Sequence, residues 1–302
     1  MIGAYKNGNY MVQIFENGTK MRICKEDKFE PAFPESIDLK ITNQCNMNCA
    51  YCHEGSTEDG KHGNIDAKFI DSLHPYTEVA IGGGNPLAHP GLRDLLQRLK
   101  ENRIIANMTV HQRHYLEQFD KIKQLYEEKL IYGIGVSINS VGYEGLIPAL
   151  KAIPTVVCHV IAGVIDDKIL DTLANNGLNL LILGYKDLRR GHRFKSDLII
   201  QGIDWLAENI ELYKNKFPYI AFDNLAIEQL RMKNKVDKDL LDELYMGDDG
   251  QFTMFIDLVE EQFASSSTSL SRYEIDNKIE DMFKRVQYDR DFSKHYNFEA
   301  GM

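Results

Sequence analysis

The sequence predicts an α/β protein: a partial or complete TIM-like (β/α) barrel entered through an N-terminal β-hairpin extension. Three observations carry that reading. Apolar runs of strand length recur from Ser36 onward, amphipathic stretches of helical period separate them, and the first two dozen residues instead alternate apolar and polar positions. Strands alternating with helices at this spacing imply right-handed βαβ units and a parallel sheet. Six to eight such units favour a closed or partly closed barrel over an open doubly wound sheet.

In the extension, the alternation flanks Glu16-Asn17-Gly18, and Asn-Gly suits a tight hairpin because both residues accept positive φ. It predicts strands over Tyr10–Phe15 and Lys20–Cys24. The following "KEDKFEPAFPES" carries two prolines and reads as a connector. Residues 1–33 are therefore assigned to the extension and connector, and 34–302 to the barrel with a C-terminal helix. The barrel strands are predicted at Ile37–Thr42, Glu78–Gly82, Ile104–His111, Ile131–Asn139, Thr155–Val164, Leu178–Gly184, Tyr219–Asp223 and Phe252–Val259. Helical patterns lie between them at Asp66–Leu73, Leu92–Asn102, Leu116–Glu128, Gly145–Ile153, Asp166–Asn175, Asp204–Asn215 and Val236–Met246. A last amphipathic helix is predicted over Tyr273–Val286, packed on the outside.

The chain has 302 residues and a formal net charge of −10, from 35 basic and 45 acidic side chains. That balance disfavours attraction to a phosphate backbone or an anionic membrane, so neither nucleic acid nor membrane is expected as a partner. No apolar run approaches the length that spans a bilayer, and "MIGAYKNGNYMVQIFENG" lacks the layout of a secretory signal. The expected location is the cytoplasm. Five cysteines, an odd number with three crowded together, do not make a disulfide framework.

Those three form Cys45-x3-Cys49-x2-Cys52, within "ITNQCNMNCAYCHEGS", just past the first predicted barrel strand. Active sites of parallel barrels sit at the C-terminal strand ends, so the thiols fall where chemistry is done. A structural zinc site takes four ligands and normally closes with a second pair; Cys24 and Cys158 are distant singles, and His53 is badly placed beside Cys52. Three thiolates suit a four-iron cluster with one iron open. A structural metal knuckle remains the plainer alternative.

This stretch resembles the signature of the radical S-adenosylmethionine superfamily, including the aromatic Tyr51 before the third cysteine. The resemblance implies a [4Fe–4S] cluster on Cys45, Cys49 and Cys52, with S-adenosylmethionine on its open iron. Reductive cleavage would then yield a 5′-deoxyadenosyl radical that abstracts hydrogen from a substrate. "IGGGNPLAHPGL" is similar to the family's "GGEP" segment, with Gly83, Gly84, Asn85 and Pro86 as counterparts. Asn85 departs from the usual glutamate and offers an ammonium a carbonyl without the carboxylate's charge. "GVSIN" places Ser137 and Asn139 on one strand face, where the family contacts ribose or the methionine carboxylate, though both residues also suit a helix cap. Gly163, ending "VVCHVIAG", resembles the loose glycine motif beside the adenine. The resemblance spans about Pro34 to Asp187.

Cys158 and His159 have opposite facings, so one of them at most points inward. Cys158 is a candidate hydrogen-atom donor, because some family members use a thiol so, and otherwise a small core residue. His89, His111 and His114 read as surface or core residues. "LGYKDLRRGHRF" could present Tyr185, Lys186 and Arg190 over the barrel mouth, or form a solvated basic loop. With no cysteine after Cys158, no auxiliary cluster is expected in the chain's later part. The expected partners are a substrate peptide or small molecule and an electron donor, flavodoxin or ferredoxin. The alternative is a non-catalytic iron–sulfur binding or regulatory protein on the same fold.

Overall fold

The structure is a computed structural model; it describes residues 1–299 apart from Asn17, and side chains as far as Arg290. Its N-terminal part is an antiparallel meander of β1 (Gly3–Asn7), β2 (Tyr10–Ile14) and β3 (Lys20–Ile23). The predicted hairpin is β2–β3, although Asn17 in its expected turn lies outside the described residues. Strand β1 adds a partner that the sequence reading did not separate, because its residues are mostly half-exposed.

Eight parallel strands follow: β4 (Ser36–Thr42), β5 (Glu78–Gly83), β6 (Ile105–His111), β7 (Gly133–Ser137), β8 (Val156–Ile161), β9 (Asn179–Leu183), β10 (Ile220–Phe222) and β11 (Thr253–Asp257). They pair in chain order from β4 to β10, and β11 returns to pair with β4 on its other side. Each overlaps its predicted run. Among the described residues β10 and β11 do not pair, so the wall keeps a seam there. Beyond β11, β12 (Gln262–Ala264) and β13 (Tyr273–Glu274) extend the sheet antiparallel.

The connecting helices are α1 (Leu92–Glu101), α2 (Gln112–Glu117), α3 (Phe119–Glu127), α4 (Leu146–Ala152), α5 (Asp167–Asn175), α6 (Arg190–Phe194), α7 (Asp197–Asn209), α8 (Asn224–Gln229), α9 (Lys238–Leu244) and α10 (Ile279–Glu299). Several differ from expectation. The helix predicted over Leu116–Glu128 breaks at Gln118 into α2 and α3, Lys68–Ser72 is only a 3-10 turn, and α7 begins seven residues before the predicted Asp204. Tyr273 pairs with Phe263 in a strand, so the last helix starts at Ile279 instead.

Each strand divides its residues by parity. Outward side chains such as Ile37, Leu39 and Ile41 of β4, or Leu180 and Ile182 of β9, are buried under the helices in one core. Leu92, Leu95, Leu96 and Leu99 of α1 follow helical spacing and meet that core. Each such side chain contributes about 1.5–3 kcal/mol by leaving water. Inward residues, including Asp38, Lys40, Ala80, Gly82, Thr109, His159 and Leu181, line a cavity of about 460 Å³.

The meander closes the N-terminal end of this barrel. Tyr10, Val12 and Ile14 pack against Ile105 and Phe252, at the starts of β6 and β11. Buried Glu35, just before β4, accepts from Tyr10 Oη at 2.6 Å and from Arg22 Nε and Nη2 at 2.8 and 3.0 Å. Lys20 Nζ donates to Ser36 Oγ and sits 3.9 Å from Glu35 Oε2. Removing the carboxylate would strand the Arg22 guanidinium against the plug, while Lys20 keeps its pair with Glu78 at 2.5 Å. Glu35→Ala is expected to cost roughly 3–5 kcal/mol, read as a lowered urea midpoint, with Glu35→Gln losing less.

Candidate functional site

The C-terminal end of β4 runs directly into the cysteine loop, and backbone hydrogen bonds fold that loop back on itself. Cys45 N donates to Thr57 O at 2.7 Å, Thr57 N to Asn43 O at 3.1 Å, and Cys52 N to Cys49 O at 3.2 Å. The neighbouring end of β5 is stitched to the same loop: Gly84 N donates to Thr42 O at 2.8 Å and Asn85 N to Gln44 O at 2.7 Å. The Asn85 carbonyl is taken by Ala88 N at 2.9 Å, while Gly83 and Gly84 line the cavity, where a backbone carbonyl suits an ammonium. Gly83 has φ +107°, and a Cβ there would lie 2.4 Å from Thr42 O, so a side chain is excluded on both counts.

Beneath the loop, Lys40 is 2 % exposed and its ammonium lies 2.9 Å from both Glu54 Oε2 and Asp257 Oδ2. One cation thereby joins β4, the residue two past Cys52, and the end of β11. Burial alone would push the Glu54 carboxyl up. Hydrogen bonds and charge from His53 and Lys40 outweigh it and hold the carboxyl well below the usual carboxylate range. Arg189 Nη1 adds a contact 3.8 Å from Glu54 and donates to His53 O at 3.0 Å.

Two further anchors reach the loop from other strands. Arg190, at the start of α6, donates from Nε to Cys49 O at 3.0 Å and from Nη1 to Ser56 O at 2.8 Å. His114, in α2, donates from Nε2 to Asn46 Oδ1 at 2.7 Å. Tyr51 Oη accepts from Asn139 Nδ2 at 2.8 Å, and burial pushes its hydroxyl up to about 12. Burial also raises the thiols of Cys45 and Cys49; neighbouring sulfurs add to this, and the Arg190 cation opposes it. A cationic metal centre would relieve the same penalty. Among the described residues, no three His, Cys, Asp or Glu side chains gather around a point that fits a single metal ion. Three soft donors on one loop, facing one cavity, fit the [4Fe–4S] cluster with an open iron.

Of the residues singled out in the sequence, Cys45, Cys49, Cys52, Tyr51, Gly83, Gly84 and Ser137 line the cavity together. Four do not. Asn85 is buried, and its Oδ1 accepts from Leu87 N at 3.3 Å, capping a short 3-10 turn. Asn139 instead donates its amide to Tyr51 Oη. Gly163 has φ +81°, and a Cβ there would meet Ile199 O at 2.6 Å, so its small size serves packing against α7. Cys158 corrects the hydrogen-donor expectation: it is fully buried on the outward face of β8, whereas His159 faces the cavity. Lys186 lines the cavity as well, while Tyr185 is buried and donates to Gly191 O. Sequence reasoning passed over Lys40, Glu54, Asp257 and Asp38. The charged residues spaced by two in "SIDLKIT" were the available signal for Asp38 and Lys40.

A family model described as the Radical SAM superfamily matches residues 39–227, more than half of the chain. Over 143 residues the chain is 25% identical to the antilisterial bacteriocin subtilosin biosynthesis protein AlbA of Bacillus subtilis, covering 44% of this chain and 31% of that protein. It is 36% identical over 75 residues to a probable GTP 3′,8-cyclase of Methanococcus vannielii, covering 23% and 25% respectively. The matched segments thus span about a third or less of these relatives. In fold, the chain is similar to Streptococcus suis SuiB bound to the precursor peptide SuiA, with TM-score 0.60 at 13% identity over 84% of this chain and 65% of that one. A structure of anSMEcpe with bound AdoMet gives TM-score 0.53 at 12% identity, over 83% and 79% of the two chains.

Two outcomes are expected of the site. Arg190→Gln removes both clips on the cysteine loop, so reconstituted protein should hold less iron per chain and lose it faster to a chelator; Arg190→Lys should recover only part, lacking the planar fork. Burial lowers both His111 and His159 to about 4. Between there and the unfolded value of about 6.5, the unfolded chain binds more protons, so stability falls as pH drops through that window. Urea unfolding at pH 7 and pH 5 should show this loss, and His159→Gln should reduce it.

Proposed function

Since the chain belongs to the radical S-adenosylmethionine superfamily, we propose that it is an enzyme that cleaves S-adenosylmethionine reductively and directs the resulting radical at a substrate inside the barrel. The observation that carries this reading is the convergence of the Cys45–Cys52 loop, the Gly83–Gly84 turn and Ser137 on one cavity. Cys45, Cys49 and Cys52 hold the [4Fe–4S] cluster. That cluster, when bound with S-adenosylmethionine, supplies the electron and the 5′-deoxyadenosyl radical.

The remaining work falls to the protein's own groups. The carbonyls at Gly83 and Gly84 would accept from the methionine ammonium, and Ser137 would offer a hydroxyl from the end of β7, two strands away. The Lys40 ion pairs and the Arg190 clip fix the loop, so the thiols keep one arrangement. The apolar residues Ile138, Ile161, Leu181 and Leu183 narrow the interior and limit water near a radical.

For the substrate we favour a peptide or small molecule, and the SuiB likeness supports a peptide. The electron donor is a flavodoxin or ferredoxin. Among the described residues no helix is long and apolar enough to cross a membrane. One observation favours the rival, a non-catalytic iron–sulfur protein: Asn85 replaces the usual acid and turns its side chain to a cap. Anaerobic reconstitution with iron and sulfide, reduction by dithionite and chromatography for 5′-deoxyadenosine separates the two. Product from the parent, and none from Cys49→Ala, is expected. A full cluster that makes no product would favour the rival.

A further inference from the structure

Below the cysteine loop, the barrel interior carries polar groups that neither the cluster loop nor the glycine turn employs. Asp38 stands on the inward face of β4, one inward position below Lys40, with Phe255 and Ala80 as its register neighbours on β11 and β5. Its side chain is exposed, but within the cavity, and the surrounding wall pushes its carboxyl up by burial. Among the described residues it makes no hydrogen bond or close ion pair.

The nearby acids are all engaged. Asp223 Oδ1 accepts from Gly184 N at 2.9 Å and from Ala226 N at 2.7 Å, while Glu54 and Asp257 share Lys40. After burial, the largest charge acting on Asp38 is the Lys186 cation, and the like charges of Asp249, Asp223 and Glu54 follow it. Lys186 opposes them, but no contact within ion-pair distance joins it to Asp38, and its Nζ donates to Ser267 Oγ at 2.8 Å. A carboxylate on the cavity wall without a hydrogen-bond partner has its acceptor sites open to a ligand, and a cation placed there would pair with it.

The room beside Asp38 suits a chain with a charged end. Ala80 and Gly82 leave that part of the wall without bulk, and a Cβ on Gly82 would meet nothing within 4 Å. A Cβ on Gly135 would fall 2.2 Å from His159 Cε1 and 2.8 Å from Thr109 Oγ1, so the imidazole crosses that glycine toward the hydroxyl. Leu181, Leu183, Ile161 and Phe255 offer aliphatic and aromatic surface on the same cavity.

Resting on the reading of this cavity as the substrate chamber, we propose that Asp38 is a specificity-determining residue that receives the ammonium or guanidinium end of an aliphatic substrate group. Such a group belongs to a lysine or arginine side chain of a peptide, or to a free aliphatic amine. The apolar wall takes the stem, and Asp38 takes the cation.

The test uses reconstituted protein saturated with S-adenosylmethionine and calorimetric titration with Nα-acetyl-lysinamide, Nα-acetyl-argininamide, agmatine and the neutral Nα-acetyl-norleucinamide. A basic probe should bind about tenfold or more tightly than the neutral one. Asp38→Asn should abolish that preference and leave S-adenosylmethionine affinity and melting temperature unchanged, while Asp38→Glu should keep part of it. Tighter binding by the acetylated amides points to a peptide, and by agmatine to a free amine. Equal binding of neutral and basic probes, no binding of any probe, or loss of S-adenosylmethionine affinity in Asp38→Asn would each overturn the proposal. Release of 5′-deoxyadenosine is followed in the same samples. If it is missing while Asp38-dependent amine binding persists, the catalytic reading fails and the binding site stands.

Discussion

The ammonium of Lys40 holds the functional end of the molecule together. It is the meeting point of the first barrel strand, the loop that carries three thiols, and the last barrel strand, which closes back on the first. Loops at the mouth of a barrel are ordinarily its loosest parts. Here a buried ion pair ties one of them to the strands below. The two carboxylates balance the cation's charge, and the cation helps to keep Glu54 ionised where burial would otherwise favour a proton. Removing Lys40 would leave two buried carboxylates without their shared cation beneath the cysteines, whereas removing one carboxylate would still leave the cation paired with the other.

From that anchor the other contacts of the loop follow a consistent plan. Arg190 reaches it from the sixth strand's loop and His114 from the third, each gripping a backbone carbonyl or an amide side chain rather than a sulfur. The thiols stay free to face the cavity while the main chain around them is fixed. The end of β5 adds two backbone bonds to the end of β4 and the start of the loop, so cysteine loop and glycine turn are tied together. A cofactor bridging the two would meet surfaces whose spacing is already set, which lowers the ordering cost of binding.

Much of this was legible in the sequence, for reasons that differ by residue. The eight barrel strands announced themselves because an outward face of Ile, Leu and Val is demanded wherever helices cover a sheet. The cysteines stood out by rarity and spacing. Other features were hidden by distance: Asp38 and Lys40 interrupt an apolar strand visibly, but Glu54 and Asp257 become their surroundings only after folding. Asn85 matched a motif position, yet its side chain turned to the local cap that asparagine readily makes. Cys158 and His159 were a question of parity alone, which a shift of one residue reverses. Strands as short as β12 and β13 leave too few residues for any period to register.

The seam between β10 and β11 has a geometric meaning for the vessel as a whole. A cylinder whose staves are all hydrogen-bonded has its circumference fixed by strand number and stagger. A cylinder with one unbonded joint does not: its girth there is decided by whichever side chains meet across the gap. Substitutions on the β10 side of that line can widen or tighten the bore without breaking a backbone bond and without touching the assembly around Lys40, whose Asp257 stands on β11. The molecule thus separates a part that must stay constant from a part that is free to be resized, and related chains with different cargoes could diverge at the joint while keeping the same mouth.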